Sequence, residues 1–420
     1  MSRGKRWLER FKSLLILLLA VNAVWLAWRT GLFQVILPAE KPSLPAEPSP
    51  RVYSYTAAAL PVSAAVTGAS GLVYGVACDD ERMESLMNSF RSVLGETLGS
   101  ASAPQEATVK EWRRALLGPG LFLDYGIPIP LEVLARWMGT SAGFAPEQQA
   151  ERLLLSLAEE NKVKLYYLEP GGKVLCCDTL AQSSALYTEI NASLSNGAEF
   201  ALQAEGLKDC DPYCLILREL PALRACGASD SGRDAALQKA AELCRINLNS
   251  GNRFQEQNGI VYLGEEGRLR LEADGSIHYT AAEGGGLGET WDEAGRIELS
   301  RSLLVPLAEA CGGIGRLVYT GTERGEDTVR CRFDYRVQGM CVKLSSGSAG
   351  WAVFRNGRLT ELGFRPRTYL PEDTVDRLPP LQAAAAAGSL QPGGTPELVY
   401  SDPGGEGRME PVWTLRERSA

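Results

Sequence analysis

The sequence predicts an α+β protein: a single N-terminal transmembrane helix followed by mixed helix and antiparallel-sheet domains outside the cytoplasm. Three observations carry that reading. One apolar run stands near the N-terminus, helix-period apolar segments follow it, and the second half repeats period-two strand pairs around glycine-containing turns. At 420 residues and 45% hydrophobic content, the chain is long enough for two or three domains. The formal charge of −8, with its basic residues dispersed, argues against a nucleic-acid partner, which would need a basic stripe to neutralise phosphates.

Residues 1–12 carry Arg3, Lys5, Arg6, Arg10 and Lys12 against Glu9 alone, an asymmetry that keeps this end in the cytoplasm. Ser13 to Trp28 is almost wholly apolar, but about 16 residues fall short of the ~20 that a bilayer core requires. Continuing through Arg29 and Gln34 to Leu37, with Arg29 snorkelling, gives a membrane anchor over 13–37. A cleaved signal peptide would share the basic-then-apolar pattern, yet no small-x-small cleavage site follows Trp28 before Pro38. Within the anchor, Ala20, Ala23 and Ala27 recur at spacings of three and four, so they share one side and allow close approach of a partner helix. Asn22 lies in the apolar run, where it can hydrogen-bond across a helix pair; these four are the candidate partner contacts. Five prolines from Pro38 to Pro50 make 38–50 a semi-rigid stalk.

Residues 51–228 read as an α+β domain. After Asp80, the residues Met83, Leu86, Met87, Phe90, Val93 and Leu94 recur at helical spacing to about Leu98. Thr108 to Glu111 is a capping box that opens a second helix, ended by Gly118-Pro119. A turn at Glu169-Pro170-Gly171-Gly172 joins strands 163–168 and 173–178. A two-residue turn would put Val163, Leu165, Tyr167, Val174 and Cys176 on one face, burying Cys176 and leaving Cys177 more exposed. The Gly/Ser/Asp-rich stretch 227–234 marks the boundary with a second region, 229–420.

That region opens with a helix over 234–248, whose Leu237, Ala240, Ala241, Cys244 and Leu248 line one side. Strands follow. A three-residue loop, Ala273-Asp274-Gly275, brings Leu269, Leu271, Ile277 and Tyr279 onto one face. A Gln338-Gly339 turn pairs Phe333, Tyr335 and Val337 with Met340, Val342 and Leu344, and sets Cys331 and Cys341 on opposite faces. Another pair surrounds Asn356-Gly357, and the whole reads as an antiparallel meander with Tyr335, Val342 and Trp413 in its core. A last helix spans 378–387, with Gly388 beyond it.

The chain has one histidine, His278, so Ser-His-Asp and multi-histidine metal chemistry are excluded by count. The three-residue loop turns His278 to the outer face beside Arg270. Gly284-Gly285-Gly286 and Gly312-Gly313-Ile314-Gly315 lack the ending of a phosphate-binding loop and read as flexible connections. Cys210, Cys214, Cys226 and Cys244 form the one cysteine cluster, open to zinc or disulfide, with buried free thiols as the default. No cofactor and no catalytic residue is expected.

Asn258-Gly259-Ile260-Val261-Tyr262, then Arg268 to Leu271, then Asp274 to Thr280 resemble the YycH family of two-component-system regulators. The strand-turn-strand Arg332 to Val342 is similar to one shared by that family and its YycI sister, with Cys341 where proline is common. Pro396 to Tyr400 and Met409 to Leu415 resemble their closing pattern. The resemblance implies a non-enzymatic protein beside a WalK-type sensor histidine kinase, with a sister YycH/YycI-type protein as a further partner and cell-wall homeostasis as its setting. A carboxylate-dependent envelope hydrolase and an envelope assembly scaffold are the rival expectations.

The charge asymmetry predicts that a reporter fused after Pro50 reports an extracytoplasmic position. A cytoplasmically active fusion there overturns the topology.

Overall fold

Capping chemistry and helical periodicity place the first elements of the computed structural model where the sequence puts them. The structure describes residues 60–416 apart from 142, 146, 158–160, 194–196, 250 and 283–289. The expected segments 1–12, 13–37 and 38–50 lie outside the described residues, as do Ala20, Asn22, Ala23, Ala27 and Gly284 to Gly286. Among the described residues no helix is long and apolar enough to cross a membrane.

Helix α1 (Asp80–Gly99) begins where the Asp79 carboxylate accepts the Arg82 amide at 3.0 Å, and it buries the predicted stripe from Met83 to Leu98. Helix α2 (Val109–Leu117) has the expected capping box: the Thr108 amide donates to Glu111 at 2.7 Å and the Glu111 amide to the Thr108 hydroxyl at 3.2 Å. Two further helices, α3 (Leu131–Trp137) and α4 (Ser183–Ser193), have no counterpart in the sequence reading. The first starts without a side-chain cap, and the second buries just Leu186 and Ile190, so neither carries a terminal signal or a strong stripe.

These helices pack on a nine-stranded antiparallel sheet. Its spatial order is Gln105–Glu106, Val174–Gln182, Lys162–Leu168, Gln149–Leu157, Gly120–Pro130, Ser63–Thr67, Val73–Ala77, Ala198–Phe200 and Leu215–Leu217. Leu121, Leu123, Leu153 and Leu155 face α1, whereas Phe122 and Leu154 face α2 through Trp112 and Leu116. Alternating residues of each strand are therefore buried on opposite sides, as a sheet between two helical layers demands.

The hairpin after Leu168 differs from expectation by one residue. Gly171 and Gly172 both take left-handed φ values, 88° and 83°, and the Glu169 amide reaches the Lys173 carbonyl at 3.0 Å. The loop thus holds three residues, Leu168 pairs with Val174, and Leu165 pairs with Cys177. This slip reverses the faces: Cys177, expected to be the more exposed, is 1% exposed and packs toward α1, while Cys176, at 7%, lies on the other side.

In the second region, helix α5 is Arg233–Leu243, ending earlier than the expected 248 because Cys244 already caps it. Helix α6 (Glu293–Cys311) went unread in the sequence; it packs against α5 and the sheet. Helix α7 runs Pro380–Leu390, through Gly388 rather than ending before it, and there the helix lies against the backbone of Asp209 and Cys210.

The large sheet has 11 strands in the order Arg253–Glu256, Gly259–Leu263, Gly267–Glu272, Ile277–Ala281, Arg358–Phe364, Gly350–Arg355, Thr328–Val337, Met340–Leu344, Pro396–Asp402 and Val412–Leu415, with Arg316–Arg324 also paired to Thr328–Val337. The three predicted turns hold. Leu271 pairs with Ile277, Val337 with Met340, and Arg355 with Arg358. The expected antiparallel meander is interrupted: Ile277–Ala281 neighbours Arg358–Phe364, Gly350–Arg355 neighbours Thr328–Val337 instead of Met340–Leu344, and Met340–Leu344 runs parallel to Pro396–Asp402.

A third sheet joins Arg224–Ser229 to Thr368–Thr374 and Gly407–Met409, so the strand at the expected 228/229 boundary is paired by the second region. One continuous hydrophobic core runs through both.

Tyr335 is fully buried; its hydroxyl donates to the Arg365 carbonyl at 3.1 Å and accepts the Arg367 amide at 3.0 Å. Val342 is buried too, whereas Trp413 is half-buried, with its Nε1 donating to the Leu378 carbonyl at 2.9 Å. Trp413 is therefore not the core residue the pattern suggested: its strand lies at the sheet's end, paired on one side to Pro396–Asp402.

Replacing Tyr335 with alanine is expected to cost about 3 kcal/mol or more in urea unfolding, from the lost ring and the orphaned Arg367 amide. A loss below ~1 kcal/mol would contradict the burial and the turn register.

Candidate functional site

A groove of about 940 Å³ opens between the two regions. One wall is the start of α1, Asp79 to Arg82; the other is the end of α6 and the segment Gly312 to Leu317. Cys78, Pro221, Ala222, Arg224, Gln338 and Pro371 complete it. Its size falls in the range of pockets that bind small molecules or short chain segments.

The glycine-rich wall is not a flexible connection. Gly313 has φ 78°, and a Cβ there would stand 2.4 Å from the Tyr369 carbonyl oxygen. The Ile314 amide donates to that same carbonyl at 2.9 Å, so the glycines let the chain lie flat on a neighbouring strand. Arg316 of this wall forms an ion pair with Glu84 of α1.

Behind the groove sits Arg336, 2% exposed. Its Nη1 donates to the Leu60 carbonyl at 2.8 Å, its Nη2 to the Pro61 carbonyl at 3.0 Å, and its Nε lies 3.2 Å from Asp80. One guanidinium from the large sheet thus holds both the start of the described chain and the first residue of α1. Arginine suits this role because its planar fork serves several acceptors at once.

A second crossing lies nearby. Arg416 donates to both oxygens of Asp124, at 3.0 and 2.9 Å, and Arg152 sits between Asp124, at 3.4 Å, and Asp211. Burial alone would raise the Asp124 pKa, but the charges of Arg416 and Arg152 hold it below the usual carboxylate range. A third contact is the Trp137 indole, which donates to Glu298 at 3.0 Å, with Glu298 paired to Arg301.

The groove's ionisable lining is Asp79, Asp80, Glu81 and Glu309 with Arg82, Arg224 and Arg316. Cys78 is the thiol that lines it, and burial pushes that thiol up to about 12, against the lowering charge of Arg336. His278 lies elsewhere, on the outer face of the large sheet beside Arg270 as expected, but half-buried, with its ring 5.2 Å from Trp351. Its burial lowers the imidazole pKa, with Glu272 opposing. Among the described residues no cluster of three or more His, Cys, Asp or Glu side chains could hold a metal ion. The cysteine cluster separates as well: Cys226 accepts a bond from Gln338 at 3.3 Å, Cys244 is buried at the end of α5, and Cys210 and Cys214 lie together under α7.

Arg336 and the groove were not found from sequence. Their parts lie in five separated segments, and Arg336 falls in phase with Arg330, Arg332 and Asp334 on the polar side of its strand's alternation, so nothing local marks it for burial.

Replacing Arg336 with methionine should destabilise the protein by roughly 3–5 kcal/mol, because Asp80 and two carbonyls lose their partner in a buried setting. Arg82, whose side chain is 68% exposed in its pair with Asp79, should tolerate the same change within ~0.5 kcal/mol. Equal losses in chemical denaturation would contradict the clamp.

No protein-family model matches the chain, and no curated protein matches it either. Among solved structures, the crystal structure of YycH from Bacillus subtilis superposes with a TM-score of 0.56 at 11% identity, covering 86% of this chain and 94% of that one. At that identity the likeness speaks for the fold. The described chain has a YycH-like α+β fold over nearly the full length of that neighbour.

Proposed function

We propose that this protein is a non-enzymatic, membrane-anchored regulator of a sensor histidine kinase of the WalK type, acting in cell-wall homeostasis. The observation that carries the proposal is the YycH-like fold over 86% of the chain, taken with the ordered strand motifs from Asn258 to Leu415 that resemble the same family. The absence of a second histidine from the whole sequence fits a binding role better than a hydrolytic one.

In this reading the span 13–37 fixes the chain to the membrane with its body outside. Ala20, Asn22, Ala23 and Ala27 face a partner helix, of the kinase or of a sister YycH/YycI-type protein. The groove supplies the contact surface of the body. A regulator of this kind biases a kinase through contacts that differ between the kinase's two signalling states, and by no more than that difference.

The test is co-purification of the kinase with the full chain from membranes, together with expression of the kinase's target genes. Changing Asn22, Ala23 and Ala27 to leucine should weaken association by roughly 3- to 30-fold, the equivalent of ~0.6–2 kcal/mol in helix contacts. If neither association nor expression responds to loss of the whole protein, the regulatory reading is wrong. If they respond to that loss but not to the leucine changes, the helix is a tether alone.

A further inference from the structure

Ten cysteines leave many pairings open by sequence, and the fold removes most of them. Cys176 and Cys177 lie on opposite faces of one strand, and Cys331 and Cys341 on opposite faces of a hairpin. Cys311 donates to its own helix at the Leu307 carbonyl, 3.4 Å away, and Cys226 is engaged by Gln338.

Cys210 and Cys214 differ. They stand four residues apart on one turn and share one small buried cluster, at 3% and 5% exposure, with Ala384 of α7. The backbone between them is a closed turn: the Cys214 amide donates to the Asp211 carbonyl at 3.0 Å, and the Tyr213 amide to the Asp211 carboxylate, also at 3.0 Å. Pro212 stiffens it further. The turn is docked on the second region, with the Asp211 amide 3.2 Å from the Gly394 carbonyl and the Cys210 thiol 3.4 Å from the same oxygen.

We propose that Cys210 and Cys214 are a redox pair that closes into an intramolecular disulfide, using a small-molecule disulfide as oxidant. The Cys210 thiolate attacks one sulfur of that disulfide and expels the other as a thiolate, leaving a mixed disulfide on Cys210. Cys214, as thiolate, then attacks the Cys210 sulfur and expels the second small thiol. Both cysteine protons end on the two released thiols. The protein has lost two electrons and one disulfide has been reduced to two thiols.

The order of attack follows from the environment. The neighbouring Cys214 thiol lowers the Cys210 pKa against the effect of burial, whereas Cys210 and burial together raise Cys214. The product holds the turn that carries Asp211, whose carboxylate pairs with Arg152 and accepts the Thr395 hydroxyl at 2.9 Å. Oxidation would therefore fix a contact between the two regions. The chemistry is independent of the kinase reading; the extracytoplasmic placement matters for where an oxidised state persists.

The experiment uses the full chain in detergent, equilibrated with graded ratios of oxidised to reduced glutathione, both folded and after refolding from urea in the same buffers. The refolded arm removes the barrier that burial sets to the reagent. After acid quench and denaturation, free thiols are capped with a maleimide and the chain is cut with trypsin. Cleavage after Lys208 and Arg218 yields one peptide with both Cys210 and Cys214 and no other cysteine.

The expected result is that this peptide becomes lighter by two hydrogens and loses on the order of nine-tenths of its maleimide uptake, while the other cysteines stay alkylated. Dithiothreitol should restore uptake. Full alkylation of both cysteines in the refolded arm at the most oxidising ratio overturns the proposal. So does pairing of either one with a different cysteine, or an adduct of glutathione that never resolves.

Discussion

A guanidinium buried at 2% exposure needs acceptors and a counter-charge, and Arg336 has both: Nη1 and Nη2 grip the Leu60 and Pro61 carbonyls where the described residues begin, and Nε rests 3.2 Å from the Asp80 carboxylate as an ion pair. The rest of the arrangement depends on it. The large sheet presents the arginine, α1 offers Asp80, and the first strand must start beside both. Arg416 and Asp124 repeat the device from the other end of the chain. Both termini of the described body are thus tied across the junction by charges that have little water to fall back on. Breaking either contact leaves an uncompensated buried charge beside the hydrophobic core that the two regions share.

Much of this fold is local and could be read locally. Turns with a unique answer fixed their registers: Gln338-Gly339 takes left-handed φ at both positions, 51° and 78°, and Ala273-Asp274-Gly275 closes as a three-residue loop. Pro170-Gly171-Gly172 failed because two consecutive glycines accommodate either a two- or a three-residue loop, and one residue decides every face beyond it.

Helix α6 was invisible for a different reason. It is buried nearly all round, with Glu298, Ser300 and Arg301 inside as well as Leu303 and Leu304, and Pro306 interrupts it. A helix without a polar face has no 3.6-residue stripe to detect. The parallel pairing of Met340–Leu344 with Pro396–Asp402 is a non-local choice that no turn announces. The groove is harder still, since its walls meet through contacts such as Tyr369 on Gly313, which have no sequence pattern.

These constraints bear on how such a body could act on a partner. A ligand bound to a rigid body shifts nothing unless it prefers one of two arrangements, and a tenfold bias needs about 1.4 kcal/mol of preference. The groove wall at Asp79 to Arg82 includes Asp80, whose partner Arg336 secures Leu60 and Pro61. A partner segment seated there would press on the element that positions the start of the body, with no long relay of side chains. The energy needed is a fraction of what the clamp contributes, so a partner could alter the local arrangement without unfolding it. Coupling between the described body and the chain before Leu60 is therefore best sought around Arg336, where the Leu60 and Pro61 carbonyls and the Asp80 carboxylate converge.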